Sequence, residues 1–264
     1  MIESILHLPV SLAAFQDMLV NAPGGDQLPR VFLRWAHFVA GITWIGILYF
    51  FNLVNVNFMK ALDAPTKKIV IPELMPRAMW YFRWGALVTV LAGLTYYAMY
   101  ILRGDVKNAN ANGAGANIWV TLLVWLLIGV VTWLIYFFIM PRIKDGRVLA
   151  VIVVVLVIAM TAAILCWLNY QLTGTGARPD SFASNKTLSI GVGGALGLIM
   201  LLNVWGIIWP AQKRIIAGTI SGTPAPPELA RQAFLASRTN AWLSLPMLFL
   251  MATSHGDYII FGKS

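Results

Sequence analysis

The stretch "VFLRWAHFVAGITWIG", residues 31–46, decides the fold. It opens an apolar run that continues to Phe58 without an acid. A helix needs about 20 such residues to cross a bilayer. Yet the run carries Arg34 and His37 one turn apart, with Gly41 one turn further on. Hydrocarbon offers an ionisable side chain nothing to bond with. His37 therefore needs a partner, either a neighbouring helix or a bound group.

The rest of the chain repeats the pattern. Of 264 residues, 59% are hydrophobic and only 11% charged, where an ordinary soluble domain has about a quarter charged. The reading is an all-α integral membrane protein, a polytopic bundle of about six transmembrane helices. The spans are about 31–58, 79–102, 117–140, 148–171, 186–209 and 240–262. Proline has no N–H with which to continue a helix, so span three is expected to end at Pro141 and span five at Pro210. Span six has two readings. It runs through Pro246 to 262, or it is a shorter helix that stops near Ser254. Residues 1–30 read as an N-terminal segment lying at the membrane surface. A further surface helix, starting at Pro226 and Pro227, is expected to lead into span six. Gly193 and Gly197 have the small-xxx-small spacing of helix packing.

The net charge of +9 does not point to nucleic acid, because the basic residues sit in short loops between spans. Twelve of the 19 Lys and Arg residues fall on the side of the loops after spans one, three and five, and seven on the other. The positive-inside rule puts the richer side in the cytoplasm and both termini outside. Arg83, just inside span two, reads as a side chain snorkelling to the interface. The lone Cys166 excludes a disulfide framework, and no CxxCH motif is present for covalent c-type haem. All ten acids lie outside the spans or at their ends. Proton- and sodium-coupled transporters place one at mid-membrane, so a transporter or channel is disfavoured.

Two histidines remain, His37 in span one and His255 in span six. The two spans run in opposite directions, which puts both side chains roughly 10 Å below the same surface at 1.5 Å per residue. Two histidines at one depth can ligate a b-type haem from opposite faces. Gly41 would leave room for a flat ring, Arg34 could pair with a propionate, and Trp44 lies two turns inward on the same face. The plainer reading is two histidines that hydrogen-bond neighbouring carbonyls. A copper or zinc site lacks a third ligand.

Three stretches carry a family resemblance: "LRWAHFVAGITWIGILYFFNLVNVNFMKAL", "MPRAMWYFRWGALVTVLAGLTYY" and "NAWLSLPMLFLMATSH". They resemble the membrane domain of bacterial membrane-bound urate hydroxylases, the urate oxidase N-terminal domain family. In that family a multi-span domain precedes a c-type cytochrome domain. The resemblance implies a bacterial inner-membrane protein with both termini in the periplasm, an oxidoreductase or electron-transfer role, and oxidation of urate. The sequence stops after span six, so a separate c-type cytochrome or other membrane subunit is the expected electron partner. The alternative is a non-catalytic, structural subunit of a larger membrane complex.

Overall fold

The computed structural model describes residues 24–25, 27–175, 179–255 and 258–262. The chain divides into two units, Met1–Phe32 and Leu33–Ser264. Nearly all of the expected N-terminal surface segment, 1–30, lies outside the described residues; within the first unit a helix begins at Leu28.

Six long helices follow. They are α1 (Leu28–Ala61), α2 (Ala64–Ala111), α3 (Ile118–Ile139), α4 (Gly146–Gln171), α5 (Asn185–Ser221) and α6 (Pro227–Thr253). Among the described residues there is no strand, only an isolated bridge between Thr173 and Ser181. The architecture is the expected all-α bundle. The first five helices are long and apolar enough to cross a membrane. The sixth spends its first turns on Glu228, Arg231 and Arg238, and its expected surface helix and span form one continuous element.

Polar side chains set the helix starts. Asp63 accepts from the Thr66 amide at 2.9 Å and so starts α2 well before the apolar run at 79. Asn117, Asp145 and Ser184 cap α3, α4 and α5 in the same way. Each satisfies an amide that the first turn leaves without a partner.

α5 does not end at Pro210. A π-helical turn over Val204–Ile208 re-registers the hydrogen bonds just before it, and a fresh α-helical stretch begins at Trp209. Pro210 therefore falls in a first turn, where its missing N–H costs no bond. The helix continues to Ser221 and stops at Gly222, whose φ of 75° is left-handed. α3 ends at Ile139, close to Pro141 as expected.

α6 takes the shorter of its two readings and ends at Thr253. The apolar "YII" at 258–260 suggests continuation, but Asn185 captures it. Asn185 Nδ2 donates to the carbonyls of Thr253 at 3.2 Å and Tyr258 at 2.9 Å, and Oδ1 accepts from the amides of Ile260 at 3.0 Å and Phe261 at 3.1 Å. One side chain thus replaces bonds that a longer helix would have made.

The core centres on α5. In its most apolar stretch 78% of residues are buried, against 17% in α4. Its glycines make this possible. A β-carbon at Gly193 would lie 3.3 Å from Leu250 Cβ, and one at Gly197 would lie 3.6 Å from Met247 Sδ, so the small-residue face expected to pack a helix packs α6. A buried polar chain locks three helices together. Trp133 Nε1 donates to Asn203 Oδ1 (3.0 Å), Asn203 Nδ2 to Asn240 Oδ1 (2.8 Å), and Asn240 Nδ2 to the Met200 carbonyl (2.9 Å). Tyr49 and Asn52 tie α1 to α6 through Ser244 and Ser237, each at 2.9 Å.

Candidate functional site

The site starts from small residues on α2. Gly85, Thr89 and Gly93 recur every fourth position and so lie along one face. A β-carbon at Gly85 would sit 3.3 Å from the Ala40 carbonyl, and Gly41 faces Thr89 Cγ2 at 3.6 Å. The backbones of α1 and α2 therefore approach closely, and His37 is seated where they do. Its Nδ1 lies 2.8 Å from the Thr89 carbonyl oxygen. A carbonyl can only accept, so Nδ1 carries a proton, and in the neutral ring Nε2 is the nitrogen left open to a ligand.

His255 lies two residues past the end of α6 instead of deep within a span. Its Nδ1 is 3.2 Å from the Met251 carbonyl and 2.8 Å from Ser254 Oγ. The Ser254 hydroxyl itself donates to that carbonyl at 2.7 Å. Nδ1 is then the donor once more.

Both histidines line one cavity of about 730 Å³ enclosed by α1, α2, α3, α5 and α6. Arg34, Gly41 and Trp44 line it too, so all five residues singled out from the sequence meet there. Arg34 is exposed, and its guanidinium stands 5.9 Å from the centroid of the Tyr96 ring. Trp44 is 1% exposed, and its indole N–H is covered without an acceptor; it serves as apolar wall, not as a donor. The remaining wall is mostly aliphatic and aromatic, and among the described residues no carboxylate lines it.

Sequence reasoning missed Thr89, Gly93 and the Met251 carbonyl. The one available signal was Gly93, a glycine two turns beyond Gly85 in an apolar run. Arg83 differs from the snorkelling expected of it. Its guanidinium carbon lies 4.0 Å from the Trp209 ring centroid and 5.7 Å from that of Trp205, and Trp205 Nε1 donates to the Arg83 carbonyl at 3.2 Å. It packs away from the cavity.

Among the described residues, no three His, Cys, Asp or Glu side chains gather to hold a bare metal ion. A group that brings its own in-plane donors needs only axial ligands from the protein. The residues present fit such a group: two imidazoles whose Nε2 atoms make no hydrogen bond to the described residues, an arginine on the same cavity lining, and apolar walls.

Fold and cavity together define a polytopic helical membrane protein with a cavity lined by two histidines. The urate oxidase N-terminal family matches over residues 62–263, and the chain belongs to that family. The match takes in α2 to α6, including Thr89, Gly93 and His255. It begins after the stretch that carries Arg34, His37, Gly41 and Trp44. No curated protein and no solved structure matches the chain.

Proposed function

We propose that the chain is the membrane-embedded redox domain of a urate-hydroxylase-type oxidoreductase, binding b-type haem with His37 and His255 as axial ligands. The observation that carries this reading is the pairing of the two imidazoles. Both line one apolar cavity, with Nδ1 of His37 bonded to the Thr89 carbonyl and Nδ1 of His255 held between Ser254 Oγ and the Met251 carbonyl. A bond of that kind fixes ring orientation and raises the basicity of the other nitrogen. Thr89 and Met251 are positioning residues in this scheme. Arg34 would hold a propionate. The apolar walls exclude water and tune the potential. Haem, when bound, supplies one-electron chemistry.

Family membership supports the urate-hydroxylase relationship. Family membership likewise supports a bacterial inner-membrane location, and the positive-inside count supports an orientation with the histidine end and both termini toward the periplasm. Electrons would leave on that side, to a c-type cytochrome or another membrane subunit. The test is to purify the protein from the membrane and quantify haem b by its pyridine haemochrome. Near-stoichiometric haem is expected, and protein that remains free of haem after growth with haem precursor would end the reading.

A second reading is a non-catalytic subunit of a larger complex. The His37–Thr89 bond favours it, because that bond pins α1 to α2 with no ligand present. In that case His37→Gln would weaken the fold or the complex while no variant altered any bound chromophore.

A further inference from the structure

Four cavity-lining residues of α1 are also exposed on the outside of the protein: Arg34, Phe38, Ile42 and Gly46. They recur every fourth position and form one stripe along the helix. Leu248 and Ala252 on α6, and His255 just beyond it, do the same on the opposite side. Phe38 is 59% exposed, Ile42 73% and Leu248 42%, values that a sealed wall would not show. The two stripes are the lips of a slit. From Arg34 to Gly46 it runs about 18 Å at 1.5 Å per residue, over half of a hydrocarbon core about 30 Å thick. Further along α1 it is closed by the Tyr49–Ser244 and Asn52–Ser237 hydrogen bonds.

Apolar lips at that depth face acyl chains and not water. We infer that the cavity takes its occupant sideways from the bilayer, through the slit between α1 and α6, and that the occupant is a tetrapyrrole, an apolar plane with anionic oxygens at one edge. The choice of a tetrapyrrole rests on the function proposed above; the route rests on the slit alone. Phe38, Ile42 and Leu248 offer the plane an apolar passage, and Arg34 at one end of the slit receives the oxygens. Gly46 keeps the other end wide: nothing lies within 4 Å of a β-carbon built there. Gly46→Trp therefore narrows the slit without a clash in the core.

Two measurements on the full chain in phosphatidylcholine vesicles test this. In a Cys166→Ser background, a nitroxide on Leu126→Cys reports from the cavity wall. It should collide with bilayer-dissolved dioxygen far more than with a water-soluble nickel chelate, and Gly46→Trp with Ala252→Phe should cut the dioxygen collisions several-fold. Metal-free protoporphyrin, supplied in the vesicle lipid, should load the cavity with a fluorescence shift. The same double substitution should slow loading several-fold, and Ile158→Trp on α4 should not. A chelate-dominated label, or loading at an unchanged rate in the narrowed protein, overturns the lateral route. The expected label behaviour, with uptake of neither metal-free protoporphyrin nor haemin supplied the same way, would overturn the tetrapyrrole as occupant and the haem reading with it, while leaving the route standing.

Discussion

A β-carbon at Gly93 would fall 2.7 Å from Nδ1 of His37. The histidine is therefore seated in space that only glycine leaves. Two effects oppose each other in Gly93→Ala. Removing a helical glycine gains about 0.5–1 kcal/mol, while overpacking typically costs about 1–3 kcal/mol. The Thr89 bond holds the ring in place, so overpacking should win. We predict a lower melting temperature, a displaced imidazole and weaker haem retention, read from a thermal scan and from the Soret absorbance of the purified variant.

Arg34 should act through its charge. Arg34→Gln is expected to lower haem retention and shift the haem potential downward, because an anionic propionate loses its cation and the oxidised iron is then favoured. Arg34→Lys should recover much of both. Redox titration separates this from a packing defect, which Lys would not rescue.

The Trp133–Asn203–Asn240 chain should be the most costly polar feature to break. Asn240 is fully buried, and Asn240→Ala strands the Asn203 amide donor. A buried donor left without a partner costs about 1–3 kcal/mol, more than the ~0.6 kcal/mol average for an interhelical bond in a membrane. Trp133→Phe removes a single donor at the edge of the chain and should cost less. Unfolding in mixed micelles with increasing dodecyl sulfate would rank the two.

Asp63 makes the start of α2 sensitive to acid. Hydrogen bonds from Thr66 hold its carboxyl below the ordinary value of 3.8. A depressed carboxyl contributes stability above that ordinary value and loses it as the pH falls through its own lower value. Amide exchange in the first turn of α2 should therefore accelerate below about pH 4, with the core helices unaffected. In Asp63→Asn, which still caps, the acid dependence should disappear.

Much of this was legible in the sequence because membrane helices announce themselves by length and polarity. His37 drew attention as an ionisable residue in such a run, and the glycine spacing of α5 marked a helix-packing face, though not which helix would fill it. Three features were hidden, for different reasons. The end of α6 is set by Asn185, far away in sequence, whose four hydrogen bonds no local pattern reveals. The continuation of α5 past Pro210 depends on a π-helical turn in a stretch with an ordinary apolar composition. The partners of the two histidines are main-chain carbonyls, and every residue has one. The shorter of the two readings of α6 holds, and His255 then lies just past the helix end while still lining the same cavity as His37. Ending the helix early moved the histidine to the cavity's edge and not away from it.

The central claim is tested most directly by reduced-minus-oxidised absorbance spectra of the wild-type protein, His37→Ala and His255→Ala, purified side by side. The wild type should show a Soret band and a sharp alpha band on dithionite reduction, as a six-coordinate haem b does. Each single variant should lose the low-spin signature while keeping its helical circular dichroism. A haem spectrum that is unchanged in both variants, or a folded wild-type protein with none, would contradict the account.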